Sequence, residues 1–410
     1  MAVASDAWAR EQADELERGG LRRGIALGAP ISWGVVGFFS LASLFSFSFG
    51  SCTHVDTPTD HPSPVHHGLG IAATPDGRIL VVDSGQDSLE VISRGTLVDD
   101  IPVGSQPTDV GVSPDGRTAY VSDTTVGNPA GSVSVVDLDR MVQTATIPVG
   151  SGPTGIAVSP DGSTVYVADT GYGLLGNVKV ISTATDTVTT TVTVGFQPTD
   201  LVVSPDGHRL YVADSNIAGN ALMLARTDTS TTGADGSPPA PTSFPGRVSV
   251  IDTATDQVLA SPTVGFEPVF LALSPDGSRL YVVDHLLPSV EVLDTTSLQV
   301  VADHRLNGGA FAVALSPDGS RLYVSGGASP LIDAGLGLHS PRESPDLTVV
   351  DAGTGQVVAR YEVGANATGV AVAADGTILV ADGDLPQVSS LDPSTGRTAT
   401  MGSPRWARPR

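Results

Sequence analysis

The chain has little of several things that would narrow its function. Its 410 residues include a single cysteine, Cys52, so no disulfide can form within one molecule. Basic residues are scarce as well, because 44 acidic side chains stand against 21 basic ones and give a formal net charge of −23. A surface of that sign repels nucleic acid and anionic lipid and attracts cations or basic partners. The composition therefore argues against nucleic-acid binding.

Catalytic motifs are also missing from the sequence. It contains no serine nucleophile elbow, no dinucleotide fingerprint, no phosphate-binding loop and no haem-attachment motif. A redox-cofactor propeller of the quinone or haem type is a third class to weigh, but no ligand signature supports it. What the chain has in quantity is 47 glycines, 30 prolines and many Val- and Thr-rich stretches. That mixture predicts many short strands joined by tight turns.

The N-terminal region predicts export. Residues 24–53 carry no charge, and residues 31–49 (ISWGVVGFFSLASLFSFSF) are long and apolar enough to span a bilayer core as a helix. Arg22 and Arg23 precede this segment, which places the positive end inside and the rest of the chain outside. We therefore divide the chain into an n-region with a signal or anchor segment (1–52), a Pro/Thr/His-rich tether (53–65) and the remainder.

Three forms of this export segment stay open. Cys52 after Gly50 and Ser51 resembles a bacterial lipoprotein box, which would make Cys52 the lipidation site, although Phe49 departs from the usual leucine. The arginine pair resembles a twin-arginine export signal. The length of the apolar segment instead favours an uncleaved anchor. Each places the protein outside the cytoplasmic membrane, on the cell surface or periplasmic side.

One sequence motif recurs along the rest of the chain. A Pro-Asp-Gly turn stands between two apolar alternations at Asp76, Asp115, Asp161, Asp206, Asp276 and Asp318, and an Ala-Asp-Gly copy stands at Asp375. Proline fixes the first turn corner, aspartate bonds its own backbone and glycine takes the positive φ that closes a hairpin. Four short strands per unit of about 40 residues are typical of a propeller blade. The pattern predicts an all-β, seven-bladed β-propeller of four-stranded antiparallel blades.

The repeats resemble a known family. Residues 120–123 (YVSD), 166–169 (YVAD), 211–214 (YVAD) and 281–284 (YVVD) look like the YVTN-type propeller repeat, as do the third strands 133–137 (VSVVD) and 248–252 (VSVID). The resemblance implies a surface-layer-like or lactonase-like seven-bladed propeller over residues 66–403. Blade boundaries follow the recurring Val-Gly ends: 66–104, 105–150, 151–195, 196–265, 266–307, 308–364 and 365–403, with a tail at 404–410. Closure by face packing of the first and last blades, or by a strand from the tether, stays open.

Aspartates end the second strand of most blades, on the face that also collects long insertions at 215–247 and 326–346. They are Asp83, Asp123, Asp169, Asp214, Asp284 and Asp382, and Gly326 interrupts the set in blade six. A ring of carboxylates at a channel mouth predicts a site for a hard divalent cation, calcium or magnesium. The alternative is that each aspartate accepts backbone N–H bonds and stiffens its strand end. Recurrence in nearly every blade favours the second interpretation, and no cofactor is assigned with certainty.

Histidines offer a second candidate metal set. His67, His285 and His339 are expected near the same channel mouth, where imidazole and carboxylate together suit a metal. Asp284 and His285 are then the candidate catalytic residues of a metal-assisted hydrolase. The irregular spacing instead favours solvated loop histidines.

The starts of the inner strands vary from blade to blade. Asp109 and Asp200 place carboxylates near the axis, Phe270 and Phe311 place aromatic rings there, and Gln197 and Glu267 lie in the loops just before. A mixed lining of this kind suits a small ligand with a polar and an apolar end. The sequence thus favours an exported, tethered, non-catalytic binding module for a protein, glycan or small molecule. The alternative is a lactonase-like hydrolase.

Overall fold

The computed structural model describes residues 67–124, 131–171, 175–215, 245–284, 288–306, 308–326, 347–364, 366–382 and 387–402. These residues form seven four-stranded antiparallel sheets, each built from four consecutive strands. The seven-bladed architecture predicted from the repeats is confirmed. Blade one uses β1–β4 and blade seven uses β25–β28, so the blades are drawn from contiguous stretches of chain.

The first strand of each blade lies innermost, since these strands contact one another from blade to blade around the axis. The inner strands are β1 His67–Ala73, β5 Pro107–Val112, β9 Pro153–Val158, β13 Pro198–Val203, β17 Pro268–Leu273, β21 Val313–Leu315 and β25 Ala367–Val372. The second strands are β2 Arg78–Asp83, β6 Thr118–Asp123, β10 Thr164–Asp169, β14 Arg209–Asp214, β18 Arg279–Asp284, β22 Arg321–Ser325 and β26 Ile378–Asp382.

The third and fourth strands lead outward to the rim. The third strands are β3 Ser88–Ser93, β7 Gly131–Asp137, β11 Asn177–Ser182, β15 Arg247–Asp252, β19 Ser289–Asp294, β23 Leu347–Asp351 and β27 Gln387–Asp392. The fourth strands are β4 Thr96–Pro102, β8 Val142–Gly150, β12 Thr187–Thr193, β16 Gln257–Ala260, β20 Gln299–Arg305, β24 Val357–Tyr361 and β28 Arg397–Gly402. Burial follows this order, because second strands are almost wholly buried whereas fourth strands alternate between exposed and covered residues.

The Pro-Asp-Gly turns close the hairpins between first and second strands. In blade three, Gly162 takes a φ of 73° and donates its N–H to the Ser159 carbonyl at 2.8 Å. Asp161 accepts bonds from the Ser159 hydroxyl (2.6 Å) and the Ser163 N–H (3.0 Å). The glycine supplies a backbone conformation that other residues adopt at a cost, and the aspartate replaces a missing backbone partner. The turn chemistry therefore fixes the register of each inner hairpin.

Seven hydrophobic clusters hold the ring together, and each lies between neighbouring blades. The cluster that closes the ring joins Ile79 and Val81 of blade one to Leu379 and Ala381 of blade seven. A blade cannot bury both faces alone, so stacking around the axis supplies the burial that stabilises it. Closure is by face packing, which answers the question that the sequence leaves open.

Arginine side chains add hydrogen bonds across two of these interfaces between neighbouring blades. Arg78 of blade one, whose side chain is 13% exposed, donates to the carbonyls of Leu138 (2.5 Å) and Gly116 (3.0 Å) in blade two. Arg209 of blade four repeats the arrangement with the Thr295 carbonyl of blade five at 2.7 Å. Each guanidinium thus satisfies carbonyls of the next blade that the sheets leave unpaired.

We expect Arg78→Met to lower the free energy of unfolding by about 1–3 kcal/mol, because two charge-assisted bonds to half-buried carbonyls are lost. The measurement is urea denaturation followed by far-ultraviolet circular dichroism, which reports directly on loss of the strands. Arg397→Met on the exposed strand β28 is the control and should change stability by less than about 0.5 kcal/mol. Equal effects of the two substitutions would contradict the interblade role of Arg78.

Candidate functional site

The aspartates that end the second strands fasten the loop that enters each blade. Asp169 accepts the N–H groups of Gly152 (3.1 Å) in the incoming loop and Gly171 (3.2 Å) in the outgoing one. Asp284 accepts the N–H of Phe266 and, at 3.4 Å, that of Glu267. Each aspartate therefore joins the end of one blade to the start of the next. We call these side chains the latch aspartates.

Glycine at the end of the preceding blade makes room for each latch. A β-carbon at Gly195 would lie 2.6 Å from Cγ of Asp214, and the same conflict arises at Gly104, Gly150, Gly265 and Gly364. This explains why the Val-Gly ends and the strand-ending aspartates recur together. In blade six, Gly326 replaces the aspartate and the backbone of Gly309 occupies the space where its side chain would lie.

Three of the latch aspartates, Asp83, Asp123 and Asp214, lie in environments that disfavour charge. Burial raises the pKa of Asp83 and of Asp123 to about 6, and that of Asp214 to about 7, against the lowering effect of their hydrogen bonds. Asp83 still accepts the N–H groups of Gly85 (2.9 Å) and Gln86 (3.0 Å) in an Asx turn. The hydrogen bonds that Asp83 and Asp169 accept come from backbone N–H groups at the ends of strands, as the structural interpretation predicts. Within the described ranges, no three His, Cys, Asp or Glu side chains are grouped so that they could hold a metal ion.

Two inner strands carry carboxylates that bridge to a neighbouring blade. Asp109 accepts the N–H of Val110 (2.8 Å) and, across the seam to blade three, that of Ile156 (3.0 Å). Asp200 does the same with Leu201 (2.8 Å) and with Leu271 (2.8 Å) of blade five. Both side chains are half-buried. They satisfy backbone donors on the axis-facing edges of neighbouring inner strands.

These two carboxyl groups interact although they belong to blades two and four. Burial, followed by the charge of Asp200, raises the pKa of Asp109 to about 8. Burial raises the pKa of Asp200 to about 7. Between them lies Gly155 of blade three, where a β-carbon would be 2.8 Å from Cα of Asp200. The missing side chain allows the inner strands to approach so closely that the two acids share one region of the channel.

Aromatic rings occupy another part of the lining. The ring centroids of Phe270 in blade five and Phe311 in blade six are 5.9 Å apart, with the planes tilted by 42°. Phe311 lies just before the short strand β21, and the N–H of the next residue, Ala312, donates to the Ser325 hydroxyl oxygen (3.1 Å). Asp200 lies close to this aromatic pair along the backbone. It accepts the N–H of Leu271, which is the residue after Phe270. Gln197 is half-buried in its loop, with a φ of 48°.

Blade five gathers three acids at its latch. Glu267 is 2% exposed, and burial followed by the charge of Asp284 raises its pKa to about 8. Glu291 on the third strand accepts the Gly265 N–H at 2.8 Å, and its pKa is raised by burial and by the charge of Asp284. We call Glu267, Asp284 and Glu291 the blade-five acidic cluster.

Two buried acids beside the latch aspartates were not predicted from the sequence. Glu291 and its counterpart Glu90 in blade one occupy the third-strand position beside the latch, where Ser134, Lys179 and Ser249 stand in blades two to four. Glu90 is 6% exposed, and burial followed by the charges of Asp83 and Asp100 raises its pKa to about 7. Aligning the repeats position by position would have shown acids where other blades carry hydrogen-bond donors.

Cys52, His285, His339 and the apolar segment 31–49 lie outside the described residues, and for His67 the structure describes the strand but not the side chain. None of the described segments forms a helix with the length and hydrophobicity that crossing a membrane requires.

The fold and the channel lining define a seven-bladed β-propeller protein. The family model of the SMP-30/gluconolactonase/LRE-like region matches residues 58–218, which span the first three blades and the inner hairpin of the fourth. This match and the seven blades confirm the resemblance to lactonase-like propellers that the repeats predicted. No curated protein matches the sequence.

Among solved structures, hydrazine synthase of Kuenenia stuttgartiensis is similar to this chain with a TM-score of 0.62. The two sequences are 21% identical, and the alignment covers 87% of this chain and 99% of that one. Similarity at this level of identity reflects a shared propeller fold and carries no activity from one protein to the other.

Proposed function

We propose that the protein is a binding propeller that holds a small ligand at the mouth of its central channel. The observation that carries this proposal is the asymmetric lining: the Asp109–Asp200 carboxyl pair and the Phe270–Phe311 ring pair share one channel. Ligand sites combine apolar walls with a few placed polar groups, and titratable groups with shifted pKa values concentrate there. The apolar N-terminal segment supports export, with the propeller tethered outside the membrane.

The test is a thermal-shift screen of the full-length chain against a panel of small amphipathic molecules. Phe270→Leu combined with Phe311→Leu should weaken any ligand found by about tenfold, because two ring faces are lost while apolar volume is largely kept. Leu259→Ala, at an exposed site on the rim, is the control and should leave the affinity unchanged. Undiminished binding to the double phenylalanine variant would place the site elsewhere.

A lactonase-like hydrolase is the second candidate, favoured by the match to the gluconolactonase-like family model. The described carboxylates do not supply a grouped metal-binding set, so this candidate would depend on Asp284 together with His285 and His339. The test is hydrolysis of glucono-δ-lactone and related lactones, with and without chelator and a divalent cation. Turnover that disappears in Asp284→Ala and His285→Ala would support the hydrolase, and full activity of these variants would contradict it.

Export is proposed on the apolar segment and Cys52. Fractionation of cells that express the full chain should place it in the membrane fraction, accessible to protease from outside. Cys52→Ser should release the protein from the membrane if the cysteine is lipidated. Retention of this variant would support the uncleaved anchor instead, and a cytoplasmic pool of the wild type would contradict export.

A further inference from the structure

The blade-five acidic cluster departs from the pattern of the other latches. In blades two and four, the third-strand residue beside the latch donates a hydrogen bond to it, Ser134 at 2.8 Å and Ser249 at 2.6 Å. In blade three, Lys179 forms an ion pair with the latch at 3.6 Å. In blade five, the same position holds Glu291, and Glu267 adds a further carboxyl group from the incoming loop. Three acids therefore meet where the repeat elsewhere brings an acid and a donor together.

One oxygen of this cluster is without a donor. Oε2 of Glu267 is buried and has no hydrogen-bond partner, although the side chain is only 2% exposed. A buried acceptor left unsatisfied destabilises the fold, and does so more strongly when it is charged. The nearest interacting group is the carboxylate of Asp284, which repels charge on Glu267. A positively charged donor would satisfy Oε2 of Glu267 and offset the repulsion between the two carboxyl groups.

An aromatic residue closely follows this cluster along the chain. Glu267 immediately precedes β17, and Phe270 follows three residues later, so their backbones are within about 10 Å. Phe270 in turn contacts Phe311 from the next blade. The faces of aromatic rings attract organic cations, and an aromatic pair with nearby carboxylates suits a cation that carries an apolar body.

Blade one shows what is special about blade five. Glu90 is buried beside the latch Asp83 much as Glu291 lies beside Asp284. Its inner strand, however, carries Gly70 at the level where blade five carries Phe270. A β-carbon at Gly70 would lie 2.6 Å from Cα of Asp109, so no ring can stand there. Only blade five, among the described parts of the seven blades, combines an acidic latch with an aromatic pair.

We infer that the ligand of the channel is an organic cation, whose ammonium group is held by Glu267 in the blade-five acidic cluster while its apolar body packs on Phe270 and Phe311. This inference rests on the proposed function and names the class of its ligand. The charge of the whole chain agrees with it, since a net charge of −23 draws cations toward the protein and repels anions.

The test compares three probes of similar shape by calorimetric titration of the full-length chain. Benzylammonium carries three N–H donors and stays cationic through neutral pH, benzyl alcohol is neutral and phenylacetate is an anion. We expect the cation to bind about tenfold more tightly than the alcohol, and phenylacetate to bind least. Affinity for the cation should rise with pH as Glu267 ionises, whereas affinity for the alcohol should not.

Glu267→Gln should reduce affinity for the cation about tenfold and remove its pH dependence, while leaving the alcohol unaffected. Glu90→Gln is the matched control, because it removes a buried carboxyl beside a latch that has no aromatic neighbour. Equal binding of cation and alcohol would overturn the cation inference but leave the channel as a ligand site. Binding of none of the three probes would overturn the inference too, and the proposed function would fall only if the wider panel were also negative.

Discussion

Alanine in place of Asp169 is expected to lower the free energy of unfolding by about 3–5 kcal/mol, because it breaks a buried ion pair at one partner. Asp169 faces Lys179, the only lysine of the chain, across 3.6 Å, and their side chains are 4% and 17% exposed. Its other oxygen accepts the N–H groups of Gly152 and Gly171, which would also lose their partner. Removal therefore leaves a largely buried cation and two backbone donors unsatisfied.

Urea denaturation of the full-length chain measures this effect. Lys179→Met should cost less than Asp169→Ala, because the aspartate keeps its backbone donors, and the double variant should be more stable than the sum of the two losses implies. The matched control is the exposed pair of Arg305 and Asp303, which is closer at 3.0 Å. Arg305→Ala should change stability by less than about 0.5 kcal/mol. A loss at Asp169 as small as this would show that the latch does not hold the blades together.

The latch aspartates show which parts of the fold could be predicted from the sequence and which could not. Turn chemistry and alternation are local, so the Pro-Asp-Gly hairpins and the YVxD strands identify the blade directly. In blades two to five and in blade seven the latch aspartate lies against the Val-Gly end of the previous blade, and the sequence shows both as recurrent features. Their contact becomes evident only when one blade is placed beside the next.

The contacts in the channel lining could not be predicted from single repeats, because they form between blades of the closed ring. Asp109 and Asp200 lie in separate blades, and their interaction depends on how closely Gly155 allows three inner strands to approach. The pairing of Phe270 with Phe311 depends on the shortness of β21, which no alternation in the sequence shows. Burial of Glu267 could not be predicted either, since Gln197 at the same position of blade four is half-exposed. Side-chain environments at blade seams are properties of the assembly.

The propeller is expected to be more stable in mild acid than in mild alkali. Burial raises the pKa of Glu291 and of seven further carboxyl groups. The values rise to about 8 for Asp109 and Glu267, about 7 for Glu90, Asp200 and Asp214, and about 6 for Asp83 and Asp123. A group whose pKa is higher in the folded than in the unfolded chain keeps its proton longer when folded. Its contribution is complete below the unfolded pKa, near 4, and is lost as the pH rises through the folded value.

The exposed turn aspartates do not oppose this trend. Hydrogen bonds to neighbouring serines lower the pKa of Asp161, Asp276 and Asp318 to about 2, so their stabilising contribution is lost only as the pH falls through that value. Between about pH 5.5 and about pH 8.5 the buried carboxyls therefore decide the slope. We expect the midpoint of thermal unfolding to fall by roughly 5–10 °C across this range, measured by scanning calorimetry in buffers of equal ionic strength.

Glutamine at two of these positions should flatten the slope. Among the described residues, neither Glu90 nor Glu267 has a hydrogen-bond partner for its carboxyl group, so Glu90→Gln with Glu267→Gln keeps the shape of both side chains and removes only their titration. The double variant should match the wild type near pH 5.5 and exceed its midpoint by roughly 3–5 °C near pH 8.5. Glu362→Gln, an exposed residue on the rim, is the control and should leave the slope as it is. A wild-type midpoint that rises with pH would mean that these carboxyls are ionised at neutral pH, so that donors outside the described residues must neutralise them.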